Sequence, residues 1–159
     1  RVQGNVLDLN LLRSPGHPDP VADRAEHHFT YSLYPHQGDH VAGGVTRAGY
    51  ELNVPLRVLA DRPGGGTLAP SIAWLRIDAP EIVIETVKQA EHGKGLIVRL
   101  YESAGASIRA ELACGFALAD AAETNLIEGE PSPLEVSGDS LRLDFRPFEI
   151  RTLRLKTQR

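Results

Sequence analysis

Apolar and polar positions alternate with a period of two through much of this chain, the pattern of strands that cover one face and wet the other. The alternation is cleanest near the end. Residues 141–145 set Leu141, Leu143 and Phe145 against Arg142 and Asp144, and residues 150–156 interleave leucines with arginines. Their arginines are expected to face water and their leucines the core. Residues 6–12 place Leu7, Leu9 and Leu11 opposite Asp8, Asn10 and Leu12, and residues 107–112 place Ile108, Ala110 and Leu112 opposite Arg109 and Glu111. Residues 28–34, 72–77, 82–87 and 96–101 complete the series, helped by the β-favouring Phe29, Tyr31, Tyr34 and Tyr101.

Turn chemistry separates these runs. Residues 91–95, with Gly93 and Gly95, predict a hairpin, because glycine adopts the positive φ that tight turns need. Residues 104–106 make a second short connection, 128–133 a Pro/Gly/Glu-rich loop, and 62–66, ending in three glycines, the loosest segment. Residues 39–48 hint at a short helix that Gly43 and Gly44 weaken. About nine short strands at this spacing predict an all-β fold, a β-sandwich of mostly antiparallel strands. Long Pro/His-rich connections mark residues 1–62, and tight hairpins mark 67–159. The expected organisation is therefore the end of a larger β-domain followed by a small sandwich, or one continuous β unit.

Composition narrows the function. With 159 residues the chain is long enough for a core of its own, and a net charge of −4 with pI near 5.9 lacks the basic balance of a nucleic-acid binder. No apolar run reaches the ~18 residues of a membrane span. Cys114 is the one cysteine, so no internal disulfide forms and a cytoplasmic, reducing setting is expected. The chain has no methionine and opens as Arg1-Val2-Gln3, which suggests a piece of a longer polypeptide.

Polar chemistry concentrates in residues 13–28. Pro15, Pro18 and Pro20 hold this loop extended, and it carries Arg13, Asp19, Asp23 and His27. Such a loop suits contacts to a ligand or another domain, and equally a surface loop held by its own bonds. His36 and His40 stand four apart, but Pro35 and Gly38 oppose the helix that would aim both at one metal, and no third ligand has diagnostic spacing. Asp19, Asp23, Glu26 and Asp39 offer carboxylates for glycoside hydrolysis, yet no periodicity sets two of them face to face. Gly64-Gly65-Gly66 lacks the Lys-Ser/Thr of a phosphate loop. Tyr31, Tyr34, Trp74 and Tyr101 lie in expected strands, where burial is the usual fate, although a sugar ring stacks well on an aromatic face.

An ordered series of motifs carries a resemblance. Leu11-Leu12-Arg13-Ser14-Pro15, Pro18-Asp19-Pro20, Ala22-Asp23-Arg24, Glu26-His27 and the run from Phe29 to Asp39 are similar to α-mannosidases of glycoside hydrolase family 38. So are Val83 to Glu91, Leu100-Tyr101-Glu102 and the ending from Arg146 to Leu155. The resemblance implies the C-terminal β region of a zinc-dependent retaining α-mannosidase. Nucleophile, general acid and zinc ligands would then belong to an N-terminal catalytic domain, which would be this region's partner and would act on α-mannoside glycans. No catalytic residue and no metal ligand carries over to these positions. Arg13, Asp19, Asp23, His27 and His36 become candidates for the rim of the substrate cleft or for the contact between domains.

Two other functions compete. An autonomous carbohydrate-binding module needs exposed aromatics, so the accessibility of Tyr31, Tyr34 and Trp74 discriminates. A hydrolase in its own right needs a metal or a carboxylate pair in the His/Asp-rich loop.

Overall fold

The computed structural model describes residues 2–60, 64–67 and 69–158. Arg62 and Pro63, part of the expected loose segment, lie outside the described residues. The chain divides into two compact units, Arg1–Val58 and Leu59–Arg159.

In the first unit, β1 (Val2–Gln3) and β2 (Val6–Leu7) pair antiparallel across Gly4, whose φ is 58°. Helix α1 spans Val45–Asn53. The strand expected over 6–12 stops at Leu7, and residues 28–34 form no strand. Alternation alone does not make a strand. The main-chain N–H and C=O groups need a partner strand, and beyond the β1–β2 pair the described residues of this unit supply none. The helix begins later than expected because residues 39–44 form a turn. The Asp39 carboxylate accepts the N–H groups of Val41 and Ala42 at 3.0 and 2.8 Å. Gly44 then takes a left-handed φ of 65° at the N-cap, and Val45 starts the helix. Arg47 and Glu51 pair one turn apart at 2.8 Å.

The second unit is the β-sandwich. Its strands are β3 (Leu75–Ile77), β4 (Ile82–Gln89), β5 (Leu96–Glu102), β6 (Ile108–Cys114), β7 (Leu118–Thr124), β8 (Ser132–Pro133), β9 (Ser140–Phe145) and β10 (Ile150–Thr157). They form a five-stranded sheet, ordered β4-β5-β10-β7-β8, and a three-stranded sheet, ordered β3-β6-β9. Every pairing is antiparallel. The all-β sandwich read from the sequence is the fold of this unit. Leu141, Leu143 and Phe145 of β9 meet Leu112 and Ala110 of β6, Val98 and Leu100 of β5, and Leu153 and Leu155 of β10 in one buried cluster. Each leucine removed from water there contributes roughly 1.5–3 kcal/mol before entropy is counted.

Two departures from simple alternation have local causes. Strand β7 was not legible as a strand, because its Ala-rich sequence buries Leu118, Ala121 and Thr124 at every third position. Its register against β10 shifts between Lys156 and Thr157, and the resulting bulge breaks the period of two. Strand β10 buries both Thr152 and Leu153, so both of its faces are covered. The loop after β7 lies over the outer face, where Arg99 donates to the Leu126 carbonyl at 3.0 Å and Arg154 to the Glu128 carbonyl at 3.3 Å. The arginines of β10 therefore do not face water freely. The Arg154 and Arg151 side chains are 19% and 11% exposed. Arg151 shares the face of Leu153 and Leu155, and its guanidinium lies 5.6 Å from the centre of the Phe145 ring.

Candidate functional site

The polar loop of the first unit is organised by its own carboxylates. Asp19 accepts the Val21 N–H at 2.9 Å, an Asx turn that fixes the chain after Pro18. Asp23 reaches back to accept the Ser14 N–H at 3.0 Å, closing a loop of residues 14–23. Ser14 and Asp23 both hold positive φ, 42° and 59°, so this clasp sits where the backbone turns sharply. The Asp23 carbonyl accepts from Nε2 of His27 at 3.0 Å, and the His27 ring stacks on Phe29 with centroids 6.0 Å apart. Arg13 enters this loop exposed beside Ser14.

His36 belongs to a second small assembly. Its ring stacks on Tyr34 at 6.0 Å and packs so closely on Gly43 that a Cβ there would run into the imidazole. Asp39, which organises that turn, is held below the usual carboxylate range. The Ala42 N–H is the main cause, aided by the Val41 N–H and by the neighbouring imidazoles of His40 and His36.

The structure thus brings Asp23 and His27 into one clasp, leaves Asp19 in its own turn within the loop, and sets His36 in a separate assembly. One oxygen of each of these carboxylates faces a backbone N–H group, an arrangement that fixes loops. Among the described residues no three His, Cys, Asp or Glu side chains gather closely enough to hold a metal ion. The zinc that the resemblance implies therefore finds no fitting donor set among them.

The aromatics depart from expectation. Tyr31, Tyr34 and Trp74 are 67%, 50% and 52% exposed rather than buried. In the first unit Tyr31 and Tyr34 share this state with most of the large apolar residues. No described residue from 3 to 60 is buried, and Leu33, Leu56 and Val58 are among the most exposed side chains of the chain.

In the sandwich the sequence reading missed two buried carboxylates. Glu102, at the end of β5, is 1% exposed, and its oxygens accept the N–H groups of Ala104, Gly105 and Phe148 at 2.8, 2.8 and 2.9 Å. Burial opposes its charge, but these N–H groups together with that of Ala106 hold its pKa below the ordinary carboxyl value. Glu128, at a φ of 65°, takes Lys88 at 2.6 Å, the Glu91 N–H at 2.8 Å and Arg154 at 3.7 Å. Lys88 is the main cause of its lowered pKa. Glu102 carries one sequence signal, a carboxylate closing an apolar strand three residues before a glycine. Both carboxylates bind loops to strands.

The second unit is thus defined by its fold as a two-sheet antiparallel β-sandwich domain. Residues 81–153 match the Glycosyl hydrolases family 38 C-terminal beta sandwich domain, and the sandwich belongs to that family. Nearly the whole chain is similar to α-mannosidases. It is 40% identical to Alpha-mannosidase 2C1 of Mus musculus over 99% of the chain and 15% of the relative. The human Alpha-mannosidase 2C1 is 39% identical over the same shares. Alpha-mannosidase G of Dictyostelium discoideum is 31% identical over 95% of the chain and 14% of the relative. The chain thus spans about 15% of the length of these curated relatives.

Proposed function

We propose that this chain is the non-catalytic C-terminal β region of a zinc-dependent retaining α-mannosidase, supporting the catalytic domain and framing its cleft. The observation that carries this reading is the bare apolar surface of residues 3–58. Leu33, Leu56 and Val58 are 80%, 98% and 91% exposed, far beyond what a free-standing domain tolerates. A segment that matches α-mannosidases and covers about 15% of their length has an obvious source of cover, the remainder of such a polypeptide. In this reading residues 1–62 end a larger β-domain and 67–159 form the small terminal sandwich. Arg13, Asp19, Asp23, His27 and His36 sit at the cleft rim or between domains. Nucleophile, acid and zinc belong to the catalytic domain, and α-mannoside glycans meet this chain only through the whole enzyme. Cys114 is half-buried and has no second cysteine to pair with, a composition that fits the cytoplasm.

The test is turnover of nitrophenyl α-mannoside by this chain alone, and by the chain mixed with its separately expressed N-terminal partner and zinc. Activity only on mixing is expected. Turnover by this chain alone would overturn the reading. Arg13→Ala and Asp23→Ala in the full-length enzyme are expected to lower stability or kcat/KM, and unchanged values of both would remove these residues from the rim.

The exposure of Tyr31, Tyr34 and Trp74 favours a second reading, an autonomous carbohydrate-binding module. The bare aliphatic residues beside Tyr31 and Tyr34 weigh against it, because missing cover exposes rings and aliphatic chains alike. Calorimetric titration of the isolated chain with mannose distinguishes the two. Heat of binding that Trp74→Ala abolishes would support a module.

A further inference from the structure

We propose that β9 is a pairing edge, on which a second copy of this chain docks about a two-fold axis through Leu143. Four strands end the two sheets of the sandwich, and three of them are blunted. Strand β3 is three residues long, and β8 is two residues long and contains Pro133. Strand β4 is broken by a register shift between Ile84 and Thr86 and carries Lys88. These are the usual ways of keeping an edge from recruiting other strands. Strand β9, six residues long, has neither proline nor bulge.

The ladder fixes which of its groups are free to pair. Cys114 donates to the Asp139 carbonyl, and Gly115 to the Trp74 carbonyl on the opposite side of β6. Alternation from these two bonds turns the main-chain groups of Leu141, Leu143 and Phe145 toward β6. Those of Ser140, Arg142 and Asp144 point outward. Ser140 is already bonded to Ser137 in both directions. The Asp144 carbonyl accepts one bond from Arg151 at 3.0 Å and keeps a second lone pair. The groups left for a partner strand are those of Arg142 and Asp144.

One antiparallel register uses all of them. Centring the axis on Leu143 sets Arg142 opposite Asp144 of the second copy, and Asp144 opposite its Arg142, with both N–H···O bonds exchanged in each pair. Charge agrees with this register. Within the chain Arg109 clamps Asp144 through bonds of 2.6 and 3.1 Å, and Arg142 lies 3.9 Å from Glu111. Across the axis each row then runs Arg109, Asp144, then Arg142 and Glu111 of the second copy, with signs alternating over four strands. Opposite charges on facing strands favour the pairing. An axis centred on Arg142 would face that arginine with itself and set Asp144 against the already bonded Ser140. A short edge contact of this kind is isologous and weak.

The experiment is sedimentation equilibrium of the 159-residue chain from roughly 10 μM to 1 mM, the range of weak association. Hydrogen exchange at the amides of Arg142 and Asp144 is followed at both extremes. A monomer–dimer equilibrium is expected, with both amides exchanging more slowly as concentration rises. Arg142→Pro removes an N–H that β6 does not use, so the circular dichroism and Tm of the sandwich should hold. It is expected to raise the dissociation constant by roughly tenfold or more. Arg142→Glu, which keeps the N–H but faces Asp144 of the second copy with like charge, should do the same. A chain that stays monomeric throughout overturns the proposal. So does self-association that leaves both amides unprotected or ignores both variants, because its contact then lies elsewhere. A dimer unchanged by addition of an acidic β-strand peptide supports the second copy as the occupant, and its displacement by that peptide would make the edge a peptide site instead.

Discussion

The buried carboxylate of Glu102 accepts the main-chain N–H of Phe148, 46 residues further along, at 2.9 Å. The same side chain holds Ala104 and Gly105, so one charge ties the β5–β6 connection to the kink before β10. Phe148 itself sits at a φ of 58°, with its ring over Gly105. Glu102→Ala would leave these part-buried N–H groups without their carboxylate and is expected to cost about 1–3 kcal/mol in urea unfolding. Unchanged stability would show that the loops hold without it.

The same residue sets a pH dependence. Glu102 is more acidic folded than unfolded, so its contribution is complete above the ordinary glutamate value of about 4.3 and fades as pH falls through its lower folded value. The acid limb of a Tm–pH profile should therefore be shallower in Glu102→Gln than in the unaltered chain. Identical limbs would assign acid sensitivity to the surface pairs.

The hairpin between β4 and β5 offers a paired test of glycine. Gly95 has a φ of 129°, and a Cβ there would stand 2.7 Å from the Leu155 carbonyl oxygen, whereas Gly93, at 79°, faces open space. Gly95→Ala should cost about 2–3 kcal/mol and Gly93→Ala about 1 kcal/mol. Equal losses in chemical unfolding would show that backbone conformation alone matters.

Leu143 is 1% exposed at the centre of the shared core, between β6 and the strands of the other sheet. Leu143→Ala is expected to lose about 2–5 kcal/mol of unfolding free energy. A loss below about 1 kcal/mol would mean that the sheets collapse to fill the gap.

In the assembly around His36, Gly43→Ala should push the His36 ring off its stack with Tyr34. The effect is read from the chemical shifts of His36. Unaltered shifts would show that the 39–44 turn yields instead.

Residues 82–87, 96–101, 141–145 and 150–156 were legible as strands because each puts a continuous apolar face on a covered sheet, and the 91–95 hairpin because its glycines admit the positive φ that a tight turn needs. The motifs of residues 11–39 and 146–155 were enough to point to the α-mannosidase family. What hydrophobic pattern could not decide is which neighbour each segment meets. Residues 28–34 alternate as well as any strand yet find no partner in their unit, while the Ala-rich β7 becomes a strand because β10 offers it a ladder. The buried roles of Glu102 and Glu128, the covering of Arg151 and Arg154, and the open edge of β9 arise from loops and strands far apart in sequence. Local sequence sets the period and sign of each face. Only tertiary pairing decides which main-chain groups are satisfied and which charges leave water, because both depend on groups brought close by the fold alone.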